Sequence, residues 1–175
     1  GMSMLGIASE VAAICNTELK EIPTLNNLVP KVFLESKAFH CLNEDNIFSL
    51  TLIDNIIYKE YSYISKRITS MGVNSVNPIV DLTNYIMLEQ GQPMHAYDAD
   101  LLEKLCCKKI TKDDFSLRES NDNEKFLALD SKEYTLEKGI LLVVCNDIPI
   151  AIAGMIGGLA TKVSDTTSRI WLEAA

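Results

Sequence analysis

The apolar positions of this chain follow a helical spacing near its start and a strand-like one towards its end. Leu5, Ala8, Val11 and Ala12 recur three and four residues apart, which predicts a first helix over roughly residues 3–15. The prolines and asparagines of EIPTLNNLVP mark a linker. VFLES and IFSLTLIDNII are rich in β-branched and aromatic residues and predict strands, and SYISKRITSMG predicts a short helix with Gly72 as its C′ residue. A better-marked helix follows over roughly residues 78–90. Asn77 is a good N-cap, Pro78 fits the first helical position, Gly91 can take the left-handed C′ conformation, and Pro93 prevents continuation. Its spacing sets Asp81 and Asn84 one turn apart. After it come KKITKDDFSLRES, KFLALDSKEYTLE, GILLVVCN, IPIAIAGMIGG and SRIWLEAA, read as β segments with a hairpin around Asp130 and Ser131. In the last of these, alternation places Ile170 and Leu172 on one face, Trp171 and Glu173 on the other. Helices first and most strands later favour an α+β fold over a doubly wound sheet.

Composition narrows the class without naming it. A chain of 175 residues, 47% hydrophobic and 23% charged, has room for one domain with a real core, or for two small intertwined lobes at about 1–100 and 101–175. Both ends fall inside secondary-structure patterns, so the expectation is a single module excised from a longer chain. The most apolar stretch, GILLVVCNDIPIAIAGMIGG, is broken by Asn146, Asp147 and Pro149 and fits buried strands; neither a membrane span nor a secretory leader is expected. Five cysteines with no CxxC pair and no nearby histidine pair predict reduced thiols in a cytoplasmic protein, not disulfides or zinc. A net charge of -8 argues against binding nucleic acid over the whole surface, because neutralising phosphates takes clustered Lys and Arg. It leaves open a module that meets one end of a nucleic acid.

Four groups of residues are candidates for chemistry. His95, one of only two histidines, follows the turn made by Gly91, Gln92, Pro93 and Met94, and a helix stopped by proline fixes where the next side chain points. Such a histidine can act as a general base or an orienting group, or simply pack. Thr83 and Asn84 lie on the preceding helix at a cost in propensity, with Asp81 in its first turn and Asp98 beyond the proline turn; solvent-facing, dipole and turn roles explain them equally well. In AIAGMIGGLATK, Gly154, Gly157 and Gly158 follow an apolar strand. A phosphate-binding loop is excluded because Thr161, not glycine, precedes Lys162, and GxGxxG is absent. Close backbone approach, amides facing an anion or carbonyl, and a β-bulge or tight bend all remain open. Glu173 is either exposed on an edge or the wall of a pocket, where a carboxylate accepts hydrogen bonds and donates none.

In this order, SMLGIASEVAA, NPIVDLTNYIMLEQGQPMHAYDADLL, PIAIAGMIGG and VSDTTSRIWLEAA resemble the editing module of the β subunit of bacterial phenylalanyl-tRNA synthetases. The resemblance covers nearly the whole chain. It implies an α+β fold of mostly antiparallel strands, a β-rich lobe interleaved with a helix-bearing layer in a three-layer arrangement. It also implies a site that hydrolyses tyrosine wrongly attached to phenylalanine tRNA. The family's editing histidine falls on His95, and its helix threonine and asparagine fall on Thr83 and Asn84. Its pocket-loop glycines match Gly154 and Gly157, with the 154–158 amides, Gly158 included, expected to hold a substrate oxygen. Its glutamate for the tyrosine hydroxyl falls on Glu173. The implied partners are the acceptor end of the tRNA and the synthetase α subunit. ATP and Mg are used elsewhere in the parent enzyme, and the module itself is expected to need no metal or cofactor. Two departures stand out: Ser131 occupies the place of a family glycine in LALDSKEYTL, and the Thr-Asp-Ala-Ser-like run downstream of the matched glutamate is not in this sequence. A non-catalytic RNA-binding or subunit-scaffolding module and a free-standing trans-editing deacylase are the alternatives.

Overall fold

A computed structural model of the chain describes residues 3–20, 36–40, 47–58 and 62–174. The linker expected at EIPTLNNLVP and most of the strand expected at VFLES lie outside them. The first helix, α1 (Met4–Cys15), starts where Ser3 Oγ accepts from the Gly6 amide and ends on Asn16 in the left-handed region. Strands β1 (Ser36–His40) and β2 (Ile47–Ile53) follow, and α2 (Ser62–Ser70) stops just before Gly72, whose φ is +83°.

Helix α3 (Pro78–Gln90) has the bounds that its caps predict. Asn77 Oδ1 accepts from the Ile79 and Val80 amides at 3.1 and 3.0 Å, and Gly91, at φ +82°, returns its N–H to Met87 O. The chain then turns through Pro93 directly into strand β3 (Met94–Asp98), an element the sequence pattern does not announce. Helix α4 (Ala99–Cys106), also unexpected, begins at once because Asp98 Oδ1 caps the Leu101 amide at 2.9 Å. KKITKDDFSLRES is strand only from β4 (Phe115–Glu119) onward, since Lys112–Asp114 form a capped 3-10 turn. The remaining strands are β5 (Glu124–Leu127), β6 (Glu133–Leu136), β7 (Leu141–Cys145), β8 (Ile148–Ile152), the two-residue β9 (Ile156–Gly157) and β10 (Ile170–Ala174).

All pairings are antiparallel, and the α+β expectation holds. One sheet runs β1-β2-β10-β3 and a second runs β4-β7-β8-β9, with β5 and β6 forming the expected hairpin. A core of Leu50, Tyr97, Leu102, Phe115, Val143, Ile150 and Trp171 lies between the two sheets and takes in α4. The far face of the first sheet presents Ala96, Ile170 and Leu172 to Ile79 and Val80 of α3. The far face of the second presents Leu142, Val144 and Ile152 to Phe126 and Leu136 of the hairpin. Alternation along each strand thus feeds two cores from one strand, which requires near-continuous apolar runs such as LLVVC. Pro149 is tolerated within β8 because the register slips beside it, between Val143 and Val144 of the partner strand.

Candidate functional site

Strands β3 and β10 pair so that His95 lies opposite Glu173 and Tyr97 opposite Trp171. Period two then turns all four side chains to one face, the face that looks into the inter-sheet core. On the other flank of β10, Leu50 and Leu52 of β2 complete that face. A carboxylate and an imidazole are therefore set into an otherwise apolar layer, and their surroundings determine their charge.

Glu173 is only 8% exposed. The hydroxyl of Tyr97, itself fully buried, donates to Glu173 Oε2, and this is the carboxylate's single hydrogen bond among the described residues. Burial pushes the Glu173 carboxyl above its usual range, while the Tyr97 hydrogen bond pulls it back. The Tyr97 hydroxyl is held well above its ordinary value, by burial first and then by the adjacent carboxylate, so it keeps its proton and remains a donor. His95 is half-buried, and desolvation lowers its pKa from 6.5 to about 4. Its ring meets the Tyr97 ring edge-on, 4.6 Å between centroids at 71°. At neutral pH the imidazole is uncharged and able to accept a proton.

The three glycines of AIAGMIGG do three different things. A Cβ on Gly157 would sit 2.4 Å from both Cε1 and Nε2 of His95 and 3.1 Å from Leu129 Cδ1, so only glycine lets the imidazole lie against this backbone. A Cβ on Gly158 would meet Ile150 O at 2.9 Å, and the Gly158 amide already donates to that oxygen at 2.7 Å. That amide is thus paired within the chain. Gly154 is exposed, has open space around its Cα and adopts φ +67°; it serves the tight turn from β8 to β9.

Thr83 and Asn84 are less closely tied to this group. Thr83 Oγ1 donates to Val80 O at 2.9 Å within its own helix, and no hydrogen bond joins either residue to His95 or Glu173 among the described residues. Asp81 and Asp98 are structural. Asp81 accepts from Ser75 Oγ and the Val76 amide, and Asp98 from the Leu101 amide and Thr167 Oγ1. Cys106 and Cys145 are buried thiols whose pKa values burial raises, whereas Cys15 and Cys107 are exposed. No three His, Cys, Asp or Glu side chains are grouped as metal ligands among the described residues. Cavities of about 250, 290 and 210 Å³ open beside Asp81, Tyr85 and Gly158 respectively, and none of these borders His95 or Glu173. The residue sequence reasoning missed is Tyr97. Alternation within MHAYD would have placed it beside His95, had those five residues been read as a strand.

Residues 46–175 match the B3/4 domain family. The whole chain is 48% identical to the phenylalanine–tRNA ligase β subunit of Prochlorococcus marinus, and 40% identical to that of Parasynechococcus marenigrum, covering 22% of each. It thus spans about a fifth of the length of the relatives it matches. A crystallised N-terminal fragment of the Pyrococcus horikoshii phenylalanyl-tRNA synthetase β subunit is similar over 73% of this chain and 38% of that one, at TM-score 0.49 and 14% identity. No described helix is long and apolar enough to cross a membrane.

Proposed function

The chain belongs to the B3/4 domain family of phenylalanine–tRNA ligase β subunits, and from that premise we propose that its His95–Glu173 face hydrolyses tyrosine mis-attached to tRNA(Phe). The observation that carries this reading is a neutral imidazole directly across a strand pair from a buried carboxylate, inside a layer that is otherwise apolar. A synthetic pocket for phenylalanine rejects an isostere with one added hydroxyl only about a hundredfold. A second site with a buried acceptor inverts that preference: tyrosine satisfies Glu173, whereas phenylalanine leaves an acceptor unpaired at a cost of about 1–3 kcal/mol.

The reaction is ester hydrolysis. Water attacks the carbonyl carbon of the aminoacyl ester while His95 takes its proton. The bond to the ribose oxygen then breaks, and the imidazole returns the proton to that oxygen. Desolvation keeps the imidazole unprotonated at neutral pH, so its nitrogen is free to accept, and makes it a weaker base than an ordinary histidine. Gly157 sets the depth of the imidazole, and the family resemblance assigns Thr83 and Asn84 to the catalytic group with His95. The partners in this reading are the acceptor end of the tRNA and the α subunit of the parent synthetase, which uses ATP and Mg for charging elsewhere.

A scaffold reading has one observation in its favour, since Glu173 already holds a tyrosine hydroxyl from its own chain. The test is deacylation of tyrosyl-tRNA(Phe) by the complete synthetase, wild type against His95→Ala and Glu173→Ala, with phenylalanine charging as control. Loss of hydrolysis in both variants with charging intact is the expected result. Unchanged hydrolysis in both would leave the scaffold.

A further inference from the structure

We infer that Tyr97 is a specificity-determining residue: its hydroxyl occupies Glu173 Oε2 and thereby keeps the carboxylate an acceptor-only group, with Oε1 turned to the incoming ligand. This rests on the editing reading above and adds to it a residue outside the motif-matched site. Two geometric facts support it. Tyr97 Oη donates to Oε2 and to nothing else, and Oε1 has no partner among the described residues. No fully enclosed side-chain oxygen or nitrogen among those residues lacks a partner, so the unpartnered Oε1 keeps a small accessible area, in line with the 8% exposure of Glu173. Two oxygens of one buried carboxylate are thus divided between an internal phenol and an external approach.

The division has a chemical consequence. An ionised carboxylate can only accept, so it rewards a ligand O–H and penalises its absence; a protonated one both donates and accepts, and the distinction weakens. Burial alone drives Glu173 towards its protonated form, and the Tyr97 hydroxyl is what opposes this. The titratable groups facing the carboxylate are His95 and Tyr97 on β3, with Cys145 of β7 beside Tyr97, while β2 presents Leu50 and Leu52. Between about pH 6 and pH 9 none of these neighbours changes charge, because His95 titrates near 4 and Tyr97 and Cys145 are shifted upward. A pH-dependent discrimination in that window belongs to Glu173.

The experiment uses the complete synthetase and compares deacylation of tyrosyl-tRNA(Phe) and phenylalanyl-tRNA(Phe) by the wild type, Tyr97→Phe, Glu173→Gln and the double variant. The expected wild-type ratio of the two rates is flat with pH. Tyr97→Phe is expected to lower that ratio on the order of tenfold at the acid end of the range and to recover towards wild type as pH rises. Because the two residues act through one bond, the double variant is expected to discriminate no worse than Glu173→Gln alone. A Tyr97→Phe ratio that matches wild type at every pH, or that falls equally at every pH, overturns the inference. A wild-type enzyme without tyrosyl-tRNA hydrolysis, or a Glu173→Gln variant with undiminished preference for tyrosine, overturns the editing reading instead. An infrared difference spectrum of wild type against Glu173→Gln at neutral pH tests the ionisation without any change at Tyr97. Carboxylate bands are expected there, and the band of a protonated carboxyl would overturn the inference even if Tyr97→Phe failed to fold.

Discussion

Asp81 and Asp98, at the starts of α3 and α4, are as buried as Glu173 on the inter-sheet face, at 5%, 7% and 8% exposure. The two aspartates spend both oxygens inside the chain: one on Ser75 and the Val76 amide, the other on the Leu101 amide and Thr167. Glu173 receives one hydrogen bond on one oxygen. A buried carboxylate whose lone pairs are met by backbone amides and hydroxyls holds a fold together; one that is half-met keeps an acceptor unspent, which is what the proposed function draws on. Helix starts and the β3–β10 face therefore bury the same functional group to opposite ends.

The contrast breaks most severely at Gly157. Gly157→Ala forces a methyl into the His95 ring, and a catalytic group misplaced by about 1 Å costs on the order of a hundredfold in rate. The expected outcome is a matching loss of tyrosyl-tRNA hydrolysis with phenylalanine charging unchanged, measured on the complete synthetase. Next, Asp81→Ala strands the Val76 amide and is expected to cost about 1–3 kcal/mol, seen as a lower urea midpoint with the Tyr/Phe deacylation ratio preserved. Glu173→Gln is expected to do the reverse. Its folded-state pKa is raised, so the charged form opposes folding above that pKa and the penalty fades as pH falls through it. Replacing it with a neutral amide should raise the midpoint by the equivalent of about 1 kcal/mol near pH 8, less at pH 5, while discrimination is lost.

His95 supplies a pH test with the other sign. Its folded-state pKa is depressed, so its contribution to stability is complete above 6.5 and disappears as pH falls towards 4. Hydrolysis limited by an ordinary histidine would decline from about pH 6.5; here the decline is expected to set in below that, where Glu173, with its raised carboxyl, takes its proton before His95 does, as a pH profile of charging-independent deacylation would show. The smallest effect concerns Ser131, which sits at φ +65° in the hairpin turn. Ser131→Gly is expected to stabilise by about 0.5–1 kcal/mol in thermal unfolding, since glycine takes that conformation without strain.

What was legible in the sequence divides along the same line as the carboxylates. Helix α3 could be bounded to the residue because Asn77, Pro78, Gly91 and Pro93 act on their immediate neighbours. Helix α4 is equally local, with Asp98 as its cap and Lys104 in its last turn, but at eight residues it is too short for a helical period to stand out. Strand β3 was not legible in the same way. Five residues after a proline turn become strand through pairing with β10, more than seventy positions away, and that register alone brings Tyr97 to Glu173. Alternation did place Trp171 and Glu173 together, and both are buried as one face. Which of three glycines meets the histidine depends on a contact between sheets, and no local pattern encodes it.

The place of β10 in the first sheet sets the order in which this molecule can assemble. It lies between β2 and β3, which do not touch each other. While the polypeptide emerges from a ribosome at about 5–20 residues per second, β3 waits roughly 4–15 s for its partner, with Tyr97 uncovered and a strand edge unpaired. The strand that closes the sheet is also the one that carries Glu173, so nascent chains present neither a finished sheet nor a selective site until their last described strand has docked. Closure of the first sheet and completion of the proposed site are in this way tied to a single late insertion.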